Sequence, residues 1–193
     1  MHQSPVLDSD PVRVTSVVRV RRIRRLSGAM VFLCQSMPLL LVGGLLFYWF
    51  ATPAVKLLLS AGLSPVAADT IGSGTRLAGF AISMVPLSVL IWGLLQAQRC
   101  FRAFAAARFL TAEPVAGLRG FALGLLISSL VNPFATAALS VLLSWRGPPG
   151  TRTLTFNVGS DTLLLILFAG TIAVIAWVLA EAVAIAEENA QFV

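Results

Sequence analysis

The chain has one histidine, one lysine, two cysteines and eight acidic residues among 193. Each scarcity removes a class of chemistry. A serine nucleophile acting inside a membrane needs a histidine or lysine partner at its own depth. His2 lies in a polar tail and Lys56 in a connecting segment, so neither can serve. Paired intramembrane aspartates are also missing, because Asp69 and Asp161 fall between apolar runs and no other aspartate follows Asp10. Metal cages need clustered imidazole, thiolate or carboxylate donors, and the sequence has too few of each. No glycine-rich loop ends in a lysine that could cradle phosphate, and Gly72-Ser73-Gly74 reads as a turn. Cys34 and Cys100 are too few for a disulfide framework and read as reduced packing residues. The expectation is a protein without catalytic residues, metal or cofactor.

What is present is apolar. Hydrophobic residues make up 58% of the chain and charged residues 11%, a balance outside the soluble globular range. A membrane-crossing helix needs about 20 mostly apolar residues. Four such runs are predicted, at about 28–50, 77–96, 118–143 and 162–179. The expected fold is all-α, an integral membrane four-helix bundle with an interfacial helix extension in its inner loop. Residues 1–27 form an Arg-rich stem, and 28–193 a single membrane domain. The first run follows that stem and is longer than a signal-peptide core, which reads as an uncleaved anchor.

The net charge of +6 rests on arginine, and six of the arginines lie between Arg13 and Arg25, just before the first span. That placement points to the membrane surface. Nucleic acid is not an expected partner, because no soluble module is left to read a groove. Arg19, Arg21, Arg22, Arg24 and Arg25 are expected to hold the stem on the cytoplasmic side and to attract anionic lipid. With both ends inside, the inner segments hold ten basic residues and the outer loops four (Lys56, Arg76, Arg146, Arg152), so both termini are expected in the cytoplasm. At the far interface the aromatic cluster Phe47 to Phe50 is expected to sit, with Val55 to Leu59 lying along the outer surface. Arg99 to Leu110 reads as a helical extension of the second span. Thr111 then looks like the N-cap of the third, with Pro114 in its first turn.

The third run, Leu118 to Leu143, carries a small or hydrogen-bonding residue at every fourth position: Gly120, Gly124, Ser128, Asn132, Thr136 and Ser140. Apolar side chains gain little by leaving lipid for one another, so close backbone approach and interhelical hydrogen bonds must hold such helices together. Steps of four precess by about 40°, so the ladder winds round the helix. The helix is therefore expected to be central, its glycine end against one neighbour and its Asn-Thr-Ser end against another.

Prolines 38, 86 and 133 each fall near the middle of their own span, and Gly170-Thr171 lies at a similar depth in the fourth. Each proline frees the carbonyl four residues back. Gln35, Ser36, Ser83, Ser88, Ser129, Asn132 and Thr136 lie close by in sequence and can supply partners. One reading is a mid-membrane polar pocket built from Gln35, Ser36, Pro38, Ser83, Pro86, Asn132, Pro133 and Thr171, as in transporters with broken helices. The other is purely structural: kinks that improve packing, with Asn132 satisfied by a neighbouring backbone. On the inner face, Glu181, Glu187 and Glu188 are candidates to pair with Arg99, Arg102 or Arg119.

Phe101-x-x-Phe104, Phe109-x-Thr111 and Leu118-Arg119 resemble the inner connection of the bacterial membrane family filed as domain-of-unknown-function 2975. Glu181 followed by Glu187-Glu188 and Val193 resembles that family's acidic terminal motif. Ala182 to Ala186 and Ala190 depart from it, being apolar where charge is usual. The resemblance implies a four-span protein of the bacterial inner membrane with no settled activity, often accompanying small helix-turn-helix regulators. The function expected is a non-catalytic accessory, regulatory or interaction subunit, partnered by a membrane protein or by its own copies; the alternative is a small permease or channel component using the mid-membrane pocket.

Overall fold

Proline at position 53 disfavours helical backbone at the residue before it, and the first long helix stops there. In a computed structural model that describes residues 11–60, 71–106, 108, 111–145 and 158–191, α1 spans Pro11–Ala51, α2 Ala54–Ser60, α3 Ser73–Ala105, α4 Ala112–Ser144 and α5 Ser160–Gln191. Side chains are described from Arg24 in α1, up to Leu59 in α2 and up to Glu188 in α5. Each predicted span lies inside one of the four long helices, and each helix runs beyond its span. α1 begins within the Arg-rich stem rather than after it. Among the described residues there is no strand.

The turns follow local chemistry. The Pro53 carbonyl accepts the N–H groups of Lys56 and Leu57 at 3.0 and 3.3 Å, which opens α2 and buries Leu57 and Leu58. α3 closes on Ala106, whose N–H is shared between the Arg102 and Ala103 carbonyls at 3.0 and 3.1 Å. An Arg108–Glu113 ion pair of 2.8 Å then spans the turn into α4. Thr111 occupies the N-cap position in extended backbone, as its sequence predicts, but its side chain makes no capping bond. Its buried hydroxyl has no partner among the described residues. At the start of α5 the Gly159 carbonyl accepts the N–H of Thr162, and Asp161 lies in the first turn, where the helix dipole favours an anion.

The four long helices are long and apolar enough to cross a bilayer, and their outward faces carry exposed Phe32, Leu39, Phe47, Leu163, Phe168 and Trp177. Large apolar faces of this kind are stable against hydrocarbon and not against water. The protein is an all-α, multi-pass membrane protein, a four-helix bundle packed in the order α1, α3, α4, α5. Of α4's most apolar stretch 28% is buried, against 6% for α1 and 11% for α5, because α4 lies between two neighbours and the edge helices have one each.

Small residues spaced by seven make the seams. In α3 they are Gly79, Pro86, Gly93 and Cys100, all buried. In α5 they are Thr162, Ala169, Ala176 and Val183, also buried. Seven residues turn an α-helix through almost two full revolutions, so such a row stays on one face and suits long contacts at a shallow crossing angle.

Candidate functional site

Three interfaces frame one open groove. Between α1 and α3, the Trp49 ring lies where a side chain on Gly79 would have to be, so only glycine fits there. The indole N–H donates to Ser83 Oγ at 3.2 Å, and Ser83 donates onward to the Gly79 carbonyl at 2.9 Å. Trp49 is thus buried against α3, and the expectation that the whole Phe47–Phe50 cluster faces the membrane interface is corrected: Phe47, Tyr48 and Phe50 are exposed and Trp49 is not. Arg76 is also more than an outer-loop charge. From the first turn of α3 its guanidinium donates to the carbonyls of Trp49, Phe50 and Thr52 at 2.7, 3.3 and 3.0 Å, satisfying acceptors that the end of α1 leaves open. Deeper in the same interface, Gln98 donates to Gln35 Oε1 at 3.2 Å, fixing the antiparallel register.

Between α3 and α4 the backbones meet. A Cβ on Gly124 would stand 2.6 Å from the Gly93 Cα, one on Gly120 2.7 Å from Gln96 Cγ, and one on Gly117 2.9 Å from the Cys100 nitrogen. One turn beyond Gly124, Ser128 donates to the Pro86 carbonyl at 2.8 Å. Gly120, Gly124 and Ser128 of the ladder therefore all engage α3. Asn132 and Thr136 are exposed, and buried Ser140 donates to the Ala137 carbonyl of its own helix.

α1 and α5 form no packed interface comparable to the other three. Between them lies a groove of ≈ 600 Å³. Its walls are Leu40, Leu41 and Leu45 of α1, Leu87 and Leu90 of α3, and Leu139 and Leu165 of the last two helices; Ser83, Ser128, Ser129, Asn132 and Thr136 make its floor polar. No Asp, Glu, Lys, Arg or His lines it, so it suits neutral groups. The hydroxyl protons on the floor are already committed: Ser83 to Gly79, Ser128 to Pro86, Ser129 to Leu126 and Thr136 to Asn132, each to a backbone carbonyl. The Asn132 carboxamide is different. Among the described residues its two donors and one acceptor have no partner, although it sits midway along the uncharged stretch from Gly120 to Ser144.

Of the residues expected around a mid-membrane pocket, Ser83, Pro86 and Asn132 line this groove. Gln35 is engaged with Gln98, Ser36 donates to Leu33 and Thr171 to Leu167 on their own helices, and Pro38 and Pro133 lie outside the lining. The hydroxyls near the prolines bond carbonyls one turn back, as Ser88 does to Val85, rather than the carbonyls of Cys34, Ile82 and Ser129 that the prolines free. Tyr48, Gly44 and Thr162 line the groove and were not expected from the sequence. The heptad spacing of Thr162 with Ala169 was the signal available for the last of them.

At the end where α1 begins, Arg24 and Arg25 are exposed, while the side chains of Arg19, Arg21 and Arg22 lie outside the described ones. The expected inner-face pairing is corrected: among the described residues no ion pair joins Glu181, Glu187 or Glu188 to Arg99, Arg102 or Arg119, and all six are exposed. Arg99 instead donates to Gln96 Oε1 at 3.2 Å. For Arg99 and Arg102 the reason is the order of packing: α5 lies against α4, with α3 and these two arginines one helix further away. Arg119 stands on α4 itself and is exposed. Among the described residues no group of three or more His, Cys, Asp or Glu is placed to hold a metal. Searches of family models, of curated proteins and of solved structures found no match to this chain.

Proposed function

We propose that this is a non-catalytic integral membrane protein of a bacterial inner membrane, acting as an accessory, regulatory or interaction subunit through helix association. The observation that carries the reading is the unpaired Asn132 carboxamide on the floor of a groove that the helix row leaves open. A bare amide at that depth gains by meeting another polar group, and interhelical amide bonds are a principal attraction between helices in lipid. The scarcity of His, Lys and acidic residues supports a role without chemistry of its own. The bias of basic residues supports cytoplasmic termini, and exposed Arg24 and Arg25 suit an anionic lipid surface. The resemblance of the inner connection to domain-of-unknown-function family 2975 favours the same kind of role.

A second reading, a small permease or channel component, is favoured by the groove volume, which lies within the range typical of small-molecule sites. Two measurements separate them. A complex that survives mild-detergent purification from native membranes supports association. Solute flux in liposomes holding this protein alone, abolished by Asn132→Leu, overturns it in favour of transport.

A further inference from the structure

The groove occupies one end of the bundle, where α1 stops and α5 starts. At 1.5 Å per residue, its lining residues Tyr48 and Thr162 lie about 5 Å from the end of α1 and about 3 Å from the start of α5, whereas Leu40 and Asn132 lie about 17 and 18 Å from the ends of α1 and α4. Half of a hydrocarbon core of about 30 Å is about 15 Å, so the groove is one leaflet deep. Its floor sets what an occupant must carry. The hydroxyl protons of Ser128, Ser129 and Thr136 go to backbone carbonyls, so these oxygens can only accept. The Asn132 carboxamide offers two donors and one acceptor, none of them engaged among the described residues. A hydrocarbon tail meets none of these groups. An ester or ether accepts from Asn132 but gives nothing to the acceptors around it. A hydroxyl does both: its oxygen accepts from Asn132 Nδ2 and its proton goes to an oxygen of the floor. A carboxylate, phosphate or ammonium group would be stranded, because no charged residue lines the groove.

We propose that the groove is a binding site for an uncharged, lipid-soluble phenol or alcohol, which enters from the bilayer between α1 and α5 and seats its hydroxyl on Asn132. The apolar body of the molecule lies between Leu40, Leu41 and Leu45 on one side and Leu139 and Leu165 on the other. The volume of ≈ 600 Å³ suits a compact ligand. The wall also leaves space at Gly44, where a Cβ would meet nothing within 4 Å. The inference goes beyond helix association and does not need it, because the site belongs to a single copy. A partner helix that reached Asn132 would displace the ligand.

The test is photolabelling of the full chain in phosphatidylcholine nanodiscs with an alkylphenol that carries a diazirine, the labelled residues being located by mass spectrometry. Label is expected on groove-lining residues of α1 and on the α4 segment from Ser128 to Thr136. Excess unlabelled alkylphenol is expected to protect them. Its methyl ether, which can only accept, and the matching alkylbenzene are expected to protect about threefold to tenfold more weakly, the scale of one or two hydrogen bonds. Asn132→Leu removes that difference, and Asn132→Gln, which keeps the carboxamide, retains it. Gly44→Phe adds a ring where a Cβ has open space, so it is expected to block labelling while the thermal midpoint holds, which guards against a fold lost at position 132. Equal protection by phenol, ether and hydrocarbon in the wild type overturns the proposal. So does label spread evenly over exposed residues such as Phe32 and Phe168, or label that Gly44→Phe leaves unchanged. If labelling fails in this way while a complex with another membrane protein survives purification, the association reading stands without the ligand; if labelling succeeds and no complex is found, the site stands without association.

Discussion

Replacing Gly124 by alanine puts a methyl group in place of one hydrogen at the tightest backbone-to-backbone contact between α3 and α4. The new Cβ would stand 2.6 Å from the Gly93 Cα and 3.0 Å from its nitrogen, where ordinary contact begins at 3.4 Å. The obstructing atoms are backbone, so no rotamer change can clear them, and α3 and α4 must part by about 0.8 Å. Parting also stretches the Ser128 to Pro86 hydrogen bond, now 2.8 Å, one turn away. Overpacking of this kind costs about 1–3 kcal/mol. For a chain of this size that is roughly 2–12 °C in thermal midpoint. The control is Gly28→Ala in α1, where a Cβ meets nothing within 4 Å. There alanine gains helix propensity, so the midpoint is expected to hold or rise slightly. Thermal unfolding of both variants in one detergent, followed by size-exclusion chromatography, reads the contrast. Equal midpoints for Gly124→Ala and the wild type, or an equal fall at Gly28, would refute glycine-mediated contact between α3 and α4.

Three further outcomes follow from the same geometry. Arg76→Lys keeps the charge but shortens by one atom the arm whose Nη1 reaches three carbonyls, and is expected to cost about 1–2 kcal/mol and to speed amide hydrogen exchange in the last turn of α1. A Trp49→Phe, Ser83→Ala double-mutant cycle should show a coupling of about 0.6 kcal/mol, the usual size for an interhelical hydrogen bond in lipid, while Trp49→Ala loses more because it also empties the Gly79 notch. Charge reversal at Glu188 and at Arg102 should be additive to within about 0.3–0.5 kcal/mol, since α4 separates their helices; a larger coupling would place α5 against α3.

Hydropathy alone determined that the chain crosses a membrane four times as helices. A bilayer interior leaves no water for backbone groups, so an apolar run of sufficient length has helix as its available form. The glycine half of the α4 ladder was legible for a related reason, because close approach needs residues without bulk. Which glycines have neighbours was not legible. Gly44 and Gly124 look alike in sequence, and only the tertiary structure decided that one faces open space and the other a backbone. Trp49 and Arg76 were placed by their neighbours in the chain, and both take their roles from a helix some 30 residues away. Spacing carried the remaining difference. Steps of four drift around a helix by about 40° each, so the ladder on α4 necessarily leaves its neighbour after Ser128 and turns Asn132 into the groove. Steps of seven drift by about 20° the other way, little enough for Gly79, Pro86, Gly93 and Cys100 to hold one seam. A sequence shows both periods at once, and the packing of real side chains selects between them.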